Sequence, residues 1–228
     1  MNILNEAVEQ LLTILFFMIS AISLVYFITT LVSVLACRRK KTVSAVPDGL
    51  LPSVTVQITS RNELVALDCA RCCMAFDYPE DKLQILLGDD SNNPNVMQEI
   101  DHFAESNPRV RVLRRTNRIG FKSGNLNHVN GHTTGDYILV MDSDFLPEPD
   151  FLRRLVAHAV ADPGLAAVQA RWHITGAHES LTTLLGSGII NVTHFIMMPL
   201  FDRFMKNRFY IVQKNAHSRT FSLSNSSA

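Results

Sequence analysis

An apolar run, Tyr137-Ile138-Leu139-Val140-Met141, leads directly into the acidic triplet Asp142-Ser143-Asp144. The length and composition of this run predict a buried strand. Residues two apart on an extended chain point the same way, so the strand end presents the carboxylates of Asp142 and Asp144 on one side. Such a pair favours Mg²⁺ or Mn²⁺, with substrate phosphates completing the coordination shell. The alternative is an acidic turn before Pro147 that holds no ligand.

Strands and helices alternate along much of the chain. A linker over residues 42–52, with two prolines and one glycine, comes first. The alternation that follows predicts βαβ units and a mainly parallel sheet, the α/β class. Strands are predicted at 54–58, 83–87, 110–113, 137–141 and 165–170, and helices at 62–76, 96–105, 124–130 and 150–160, with Asn62 as the candidate N-cap.

Polar residues also mark two other points of this alternation. The triplet Asp89-Asp90-Ser91 ends the second strand, and Lys122-Ser123-Gly124-Asn125 lies at the start of a predicted helix. Ligands of parallel sheets bind beyond the carboxyl ends of the strands, so Asp89, Asp90, Asp142 and Asp144 are expected to share a cleft. A carboxylate there suits a base or ribose, and a lysine beside a glycine suits a phosphate. Asp and Ser are also ordinary turn formers.

Several protein classes are disfavoured by the sequence. The formal net charge is +0, and no basic patch calls for nucleic acid. Lys122 lies outside a Walker motif, and the absence of a G-x-G-x-x-G segment argues against a dinucleotide oxidoreductase. A calcium loop is disfavoured because Leu146 and Pro147 stand where an oxygen ligand and a glycine are needed.

The N-terminal region predicts a membrane anchor over residues 1–41. Residues 11–37 carry no charge, and Arg38-Arg39-Lys40-Lys41 follows at once. This apolar run is long enough to span a bilayer, and a signal peptide would be shorter and have a basic start. The positive-inside rule places the N-terminus outside and the rest of the chain in the cytoplasm.

A second uncharged stretch, residues 181–201, is ambiguous. It is long enough for a second span, which would make the protein two-pass. Its Ser, Thr, Asn and His side chains and two glycines favour a buried or interfacial helix instead.

Three of the four cysteines lie in one predicted helix. Cys69-x-x-Cys72 has the spacing of half a zinc site, but no second Cys/His pair stands at ligand spacing. Reduced cysteines in a cytosolic helix are therefore the favoured interpretation.

Taken in order, these motifs resemble those of family 2 glycosyltransferases. The resemblance runs from about Pro52 to about Phe204 and points to the membrane-bound processive branch, which includes cellulose and mannan synthases. The segments that carry it are Val54-Thr55-Val56-Gln57 with Asn62-Glu63, Tyr78-Pro79, Leu87-Gly88-Asp89-Asp90-Ser91, Arg118-Ile119-Gly120-Phe121-Lys122-Ser123-Gly124-Asn125-Leu126-Asn127, the region from Gly135-Asp136-Tyr137 to Pro147, and Val168-Gln169-Ala170-Arg171-Trp172.

This resemblance implies a GT-A fold, a Rossmann-like sheet that binds a nucleotide-diphosphate sugar, and transfer with inversion. It assigns Asp90 to the nucleoside, with Glu63 nearby, and Lys122 to the nucleotide and its phosphates. It assigns Asp144 to the metal and Asp142 to both metal and donor.

The chain departs from the family pattern in three places. Arg61 stands where a tyrosine is common two residues before the glutamate, and Ser143 replaces the commoner alanine. After Phe204 the sequence lacks the glycine-rich acceptor segment, the acidic motif that holds the general base, and the Gln-x-x-Arg-Trp motif of processive members. The domain over residues 53–204 is therefore expected to be incomplete, and residues 205–228 to form an irregular polar tail.

The general base has no assignment in this sequence. An inverting transfer needs a base to deprotonate the acceptor hydroxyl, and the late acidic residues Glu179 and Asp202 lie outside the expected motif. The sequence predicts a membrane-anchored transferase that moves a hexose from a UDP- or GDP-sugar to a glycan or lipid acceptor, with a partner subunit supplying the missing part. The alternatives are a truncated donor-binding fragment without turnover and a non-enzymatic membrane protein of the same fold.

Overall fold

A computed structural model describes residues 2–36, 44–162, 167–168, 170, 180–193 and 219–222. The chain divides into two compact units, residues 1–41 with 172–209 and residues 42–171 with 210–228. The second unit contains the predicted sheet.

The described residues form a sheet of five strands in the order β3-β2-β1-β4-β5, and every neighbouring pair is parallel. This arrangement confirms the predicted α/β fold with a mainly parallel sheet. The strands are β1 (Val54–Ser60), β2 (Leu83–Asp89), β3 (Val110–Leu113), β4 (Tyr137–Asp142) and β5 (Arg219–Ser222).

The helices follow the predicted alternation, with shifted ends. They are α1 (Asn2–Ala36), α2 (Val65–Met74), α3 (Pro94–Ser106), α4 (Phe121–Asn130), α5 (Phe151–Ala161) and α6 (Leu181–Val192). The prediction of Asn62 as an N-cap was wrong, because α2 is capped at Leu64 and Asn62 has a φ of 55°. Its side-chain oxygen instead accepts hydrogen bonds from the backbone N–H groups of Asn92 and Asn93, and so ties the two loops after β1 and β2 together.

Both faces of the sheet are packed. Along β2, Ile85 and Leu87 belong to the main hydrophobic cluster, whereas Leu86 belongs to a second cluster with Leu113 and Val129. Strand β1 lies in the middle and is buried along its whole length. A strand covered on both faces can be a continuous apolar run, as residues 138–141 of β4 are. Strand β1 alternates instead, and its buried side chains Thr55 and Gln57 form hydrogen bonds with Gln84 and Thr133.

Polar side chains at the amino-terminal end of the sheet bind one another. The Thr55 hydroxyl donates to Gln84 Oε1 over 2.6 Å, and Thr55 is also the register partner of Gln84. The backbone N–H of Thr134 donates to the same Gln84 oxygen, and that of Gly135 donates to Thr55 Oγ1. The loop before β4 is thereby fixed to both central strands.

Leu139 offers a direct test of this core. It is 0% exposed in β4, so Leu139→Ala is expected to lower the free energy of unfolding by about 3 kcal/mol through lost burial and a residual cavity. Denaturant unfolding of the full chain in detergent measures this change. Leu50→Ala is the control, because Leu50 is 72% exposed and its loss should change stability by under about 0.5 kcal/mol. Equal effects of the two substitutions would contradict the assignment of Leu139 to the core.

The tail predicted to be irregular differs from the prediction at four residues. Arg219–Ser222 form β5, which pairs with β4 in parallel. Without β5, strand β4 would be an edge strand with unpaired backbone groups, and such an edge is a ready template for pairing. Half of the predicted strand at 165–170 lies outside the described residues; of the other three, 167 and 168 are in no strand and Ala170 forms an isolated β-bridge.

The described residues of the other unit form two apolar helices. Within α1, residues Asn5–Ser33 are long and apolar enough to cross a membrane, with a mean hydropathy of 2.5. The described part of the second uncharged stretch is α6, which is capped at Ser180 by a reciprocal pair of hydrogen bonds with Thr183. Its apolar part, Leu181–Ile190, is shorter than a span.

Candidate functional site

A cleft of about 540 Å³ lies at the carboxyl ends of β1, β2 and β4. This volume falls in the range of ligand pockets. All five residues predicted to bind donor or metal line it. The described lining residues are Thr59, Ser60, Arg61, Glu63, Val65, Asp90, Arg118, Phe121, Lys122, Asn125, Asp142, Ser143 and Asp144.

The three residues of the acidic triplet have different surroundings. Asp142, the last residue of β4, forms an ion pair with Lys122 through its Oδ1. Ser143 is buried and donates a hydrogen bond to Glu63 Oε2, whereas Asp144 is exposed. The structure therefore holds Glu63 against the middle of the triplet and leaves the Asp144 carboxylate facing solvent.

Helix α4 brings Lys122 to the cleft because it packs very close to β2. A Cβ atom on Gly88 would lie 2.3 Å from Asn125 Oδ1 and 2.5 Å from Val129 Cγ2, so only glycine fits here. The space left by Gly88 is used by a hydrogen bond of 2.9 Å from Asn125 Nδ2 to the Gly88 carbonyl. Asn125 is 2% exposed, which makes this a buried anchor of α4.

Asp90 binds Arg115, a residue that the sequence interpretation missed. Arg115 Nε donates to Asp90 Oδ1 over 2.8 Å, and Nη2 donates to Oδ2 over 2.6 Å. Both side chains are largely buried, and hydrogen bonding to Asp90 raises the pKa of Arg115. The one sequence signal was the pair Arg114-Arg115 directly after β3, the strand beside the one that ends in Asp89 and Asp90.

Asp89, by contrast, points away from the cleft lining and has a structural role. Its side chain is 0% exposed and accepts hydrogen bonds from Arg114 Nε and from the backbone N–H of Ser91. Partial burial lowers the pKa of Arg114, but its hydrogen bonds to Asp89 and Asp101 outweigh this effect and raise the pKa above its ordinary value. The expectation that Asp89 shares the cleft is therefore wrong, and of the two adjacent carboxylates only Asp90 lines it.

The loop before α4 turns through the left-handed region twice. Gly120 has a φ of 75° and Phe121 a φ of 47°, and for an aromatic residue this conformation is strained. Arg115 stabilises the turn by donating from Nη1 to the Ile119 carbonyl and from Nη2 to the Phe121 carbonyl, each over 2.7 Å. The guanidinium that holds Asp90 therefore also holds this turn.

Two buried polar atoms among the described residues lack a hydrogen-bond partner, and both belong to residues that line the cleft. They are Thr59 Oγ1 and Arg118 Nε. Buried polar atoms are nearly always satisfied, so unpaired ones in a cleft indicate a place for a ligand.

The donor set fits a hard divalent cation bound together with a substrate. The residues that the structure describes contain no cluster of three or more His, Cys, Asp and Glu side chains that could hold a metal alone. Mg²⁺ and Mn²⁺ accept one or two carboxylates and take their other oxygen ligands from phosphate and water, which suits Asp142 and Asp144.

Cys69, Cys72 and Cys73 are free thiols, and burial is the main cause that raises the pKa of Cys72.

The parallel sheet, the acidic triplet and the cleft at the carboxyl ends of the strands are features of the GT-A fold. The chain belongs to the glycosyl transferase family 2, whose family model matches residues 55–219. This result confirms the family that the sequence motifs resembled.

Similar proteins agree with that assignment. Glucomannan 4-beta-mannosyltransferase 2 of Arabidopsis thaliana is 36% identical over 141 residues, which are 58% of this chain and 26% of the relative. Glucomannan 4-beta-mannosyltransferase 1 of Oryza sativa subsp. japonica is 33% identical over 141 residues, 58% of this chain and 27% of the relative. Among solved structures, the mannosyltransferase PcManGT from Pyrobaculum calidifontis, in complex with GDP-Man and Mn²⁺, aligns with a TM-score of 0.56 and 28% identity over 67% of this chain and 46% of that one.

The chain spans about a quarter to a third of the length of the curated relatives it matches, for example 28% and 34% of two of them. Glu179 and Asp202, considered for the general base, lie outside the described residues.

Proposed function

We propose that this protein is a membrane-anchored, inverting glycosyltransferase that moves a hexose from a nucleoside-diphosphate sugar to a glycan or lipid acceptor. The observation that carries the proposal is the convergence of Asp90, Lys122, Asp142 and Asp144 on one cleft. The named activities of the relatives and the GDP-Man and Mn²⁺ of the solved structure favour a GDP-mannose donor and a manganese ion.

Each of these residues has a role that its chemistry suits. Asp144, exposed at the end of the triplet, and Asp142 would bind Mn²⁺ or Mg²⁺ together with the diphosphate. The bound cation would neutralise the charge that develops on the leaving nucleoside diphosphate. Lys122, now paired with Asp142, would turn to the phosphates, and Asp90 would accept hydrogen bonds from the nucleoside.

The membrane arrangement is part of the same proposal. Helix α1 would anchor the protein, and the basic run Arg38-Arg39-Lys40-Lys41 would hold its carboxyl-terminal end at the cytoplasmic surface. The sheet domain would then use cytoplasmic nucleotide-sugar. Labelling of a cysteine introduced at Asn2 by an impermeant reagent, in intact cells against lysed ones, tests whether the N-terminus lies outside.

Thermal unfolding tests the donor site. GDP-mannose or a UDP-sugar with Mn²⁺ is expected to raise the melting temperature of the full chain, because a ligand at a hundred times its Kd stabilises the folded state by about 2.7 kcal/mol. Asp144→Ala should abolish the shift. Glu148→Ala, which removes another exposed carboxylate from the same loop and only a surface ion pair with Arg154, should keep it.

Two outcomes decide the proposal. The absence of any shift with millimolar nucleotide-sugar in the unaltered protein would exclude a formed donor site. A shift that survives Asp144→Ala would remove this residue from the metal site. Release of nucleoside diphosphate with an acceptor present then separates a working transferase from a protein that binds the donor without turnover.

A further inference from the structure

We infer that Arg115 is a positioning residue that joins Asp90 and Phe121 into one unit for recognition of the donor's nucleobase. This inference rests on the proposed function, because it concerns the same cleft and identifies the nucleobase as the part of the donor that binds near Asp90. Arg115 itself is absent from the lining of the cleft and acts through the two residues that it holds.

Arg115 uses most of its hydrogen-bond donors on acceptors within the protein. Four hydrogen bonds of 2.6–2.8 Å join its guanidinium to both carboxylate oxygens of Asp90 and to the carbonyls of Ile119 and Phe121. The side chain is 9% exposed. Because a guanidinium is planar and rigid, these bonds fix the Asp90 carboxylate and the Gly120–Phe121 turn relative to each other.

Asp90 keeps capacity for a ligand in this arrangement. A carboxylate offers about four acceptor lobes, and Arg115 occupies one on each oxygen. Arg118 Nε lies 4.0 Å from Asp90 Oδ2, too far for a hydrogen bond. The remaining lobes suit the N–H groups that a nucleobase presents at its edge, whereas diphosphate carries only acceptor oxygens at neutral pH and cannot donate to them.

Phe121 supplies the other half of the unit. Its side chain is 73% exposed, and it is the one aromatic residue among the described residues that line the cleft. Phe121 exposes an apolar ring to water and also has a left-handed backbone, and both are unfavourable. Such a strained backbone persists only where the surrounding structure holds it. Arg115 holds it here, and the result is a ring face at the cleft on which a base can stack.

An independent observation points to a ligand in the same cleft, on the side of Asp142. Thr59 is 8% exposed, lines the cleft, and leaves its hydroxyl without a partner among the described residues. It lies at the end of β1, beside Gly88 of β2 and Asp142 of β4 in the strand register. A bound molecule in the cleft would satisfy this hydroxyl.

The inference separates two parts of the cleft that can be tested apart. Arg115, Asp90 and Phe121 would act on the base, whereas Lys122, Asp142 and Asp144 would act on the diphosphate and its cation. Binding of GDP and of UDP requires both parts. Binding of inorganic pyrophosphate requires only the second.

The experiment measures the affinity of the full chain in detergent for GDP, UDP and pyrophosphate, each with Mn²⁺. Arg115→Lys keeps the charge, but a single ammonium cannot reach four acceptors. It is expected to weaken GDP or UDP binding by about tenfold or more, the order of one lost base stack, and to leave pyrophosphate binding unchanged. Arg111→Lys is the matched control, because Arg111 is exposed on β3 and should alter none of the three affinities.

Phe121→Ala keeps the inference testable if Arg115→Lys fails to fold. This exposed side chain can be removed with little effect on stability, and the nucleotides should again lose about tenfold in affinity while pyrophosphate does not. In the double variant the loss should be smaller than the product of the two single losses, because both act through one unit.

The possible failures differ. If the unaltered protein binds neither nucleotide nor pyrophosphate, the proposed function fails and the inference fails with it. If the unaltered protein binds all three and both variants weaken pyrophosphate as much as the nucleotides, or weaken none of them, the donor site stands and only the inference is overturned.

Discussion

Gly124→Ala is expected to abolish nucleotide binding and to lower the free energy of unfolding by about 2 kcal/mol, a typical cost of overpacking. A Cβ atom at this position would lie 1.9 Å from the Ile119 carbonyl oxygen and 2.4 Å from Arg115 Nη1. The oxygen belongs to the backbone, so the whole turn before α4 must move. That movement would break the hydrogen bond between Arg115 and Ile119, on which the turn depends.

Gly131→Ala is the matched control for this substitution. Gly131 ends the same helix with a φ of −63°, and a Cβ atom there would make an ordinary contact of 3.4 Å with the His128 carbonyl oxygen. Alanine at such a site should be neutral or slightly stabilising. Melting temperatures with and without GDP-mannose and Mn²⁺ measure both effects. A Gly124→Ala protein that keeps its stability and its ligand-induced shift would show that the turn can yield without loss of function.

Asp89→Ala is expected to destabilise the fold by about 3 kcal/mol, since the partly buried charge of Arg114 loses its buried partner. The substitution also leaves the backbone N–H of Ser91 without its acceptor. Arg114 is 28% exposed and retains Asp101, which limits the loss to the lower end of the usual range.

Asp101→Ala removes the other partner of Arg114 and serves as the control. The Asp101 side chain is 51% exposed, so its ion pair should contribute under about 1 kcal/mol. Urea unfolding of both variants gives the two values. Equal destabilisation by the two substitutions would mean that the burial of Asp89 does not strengthen its ion pair with Arg114.

The sequence predicted the sheet well because the strands that it needs are marked by their own composition. Strands β2 and β4 contain the apolar runs 85–87 and 138–141, β1 is rich in β-branched residues, and each strand ends in polar ones. Parallel order then places Asp90, Asp142 and Asp144 at one edge without any knowledge of side-chain contacts. The ends of the helices were less certain, and α4 begins at Phe121, three residues before the predicted start.

Other parts of the cleft could not be read from the sequence because they depend on pairs distant along the chain. Arg115 lies 25 residues after Asp90, and their contact requires β3 to lie beside β2. The bond between Ser143 and Glu63 joins residues 80 apart. The left-handed conformation of Phe121 carries no composition signal either, since aromatic residues rarely adopt it.

The hydrogen bond between Thr55 and Gln84 has a consequence at the opposite end of the sheet. These two residues are register partners, so a slip of β1 against β2 by one residue would separate them and turn every side chain of the slipped strand to the other face. It would also move Asp90 by about 3.3 Å along the strand direction relative to Asp142. The hydrogen-bonded pair thus fixes the register of β1 and β2, and this register sets the spacing of the carboxylates in the cleft.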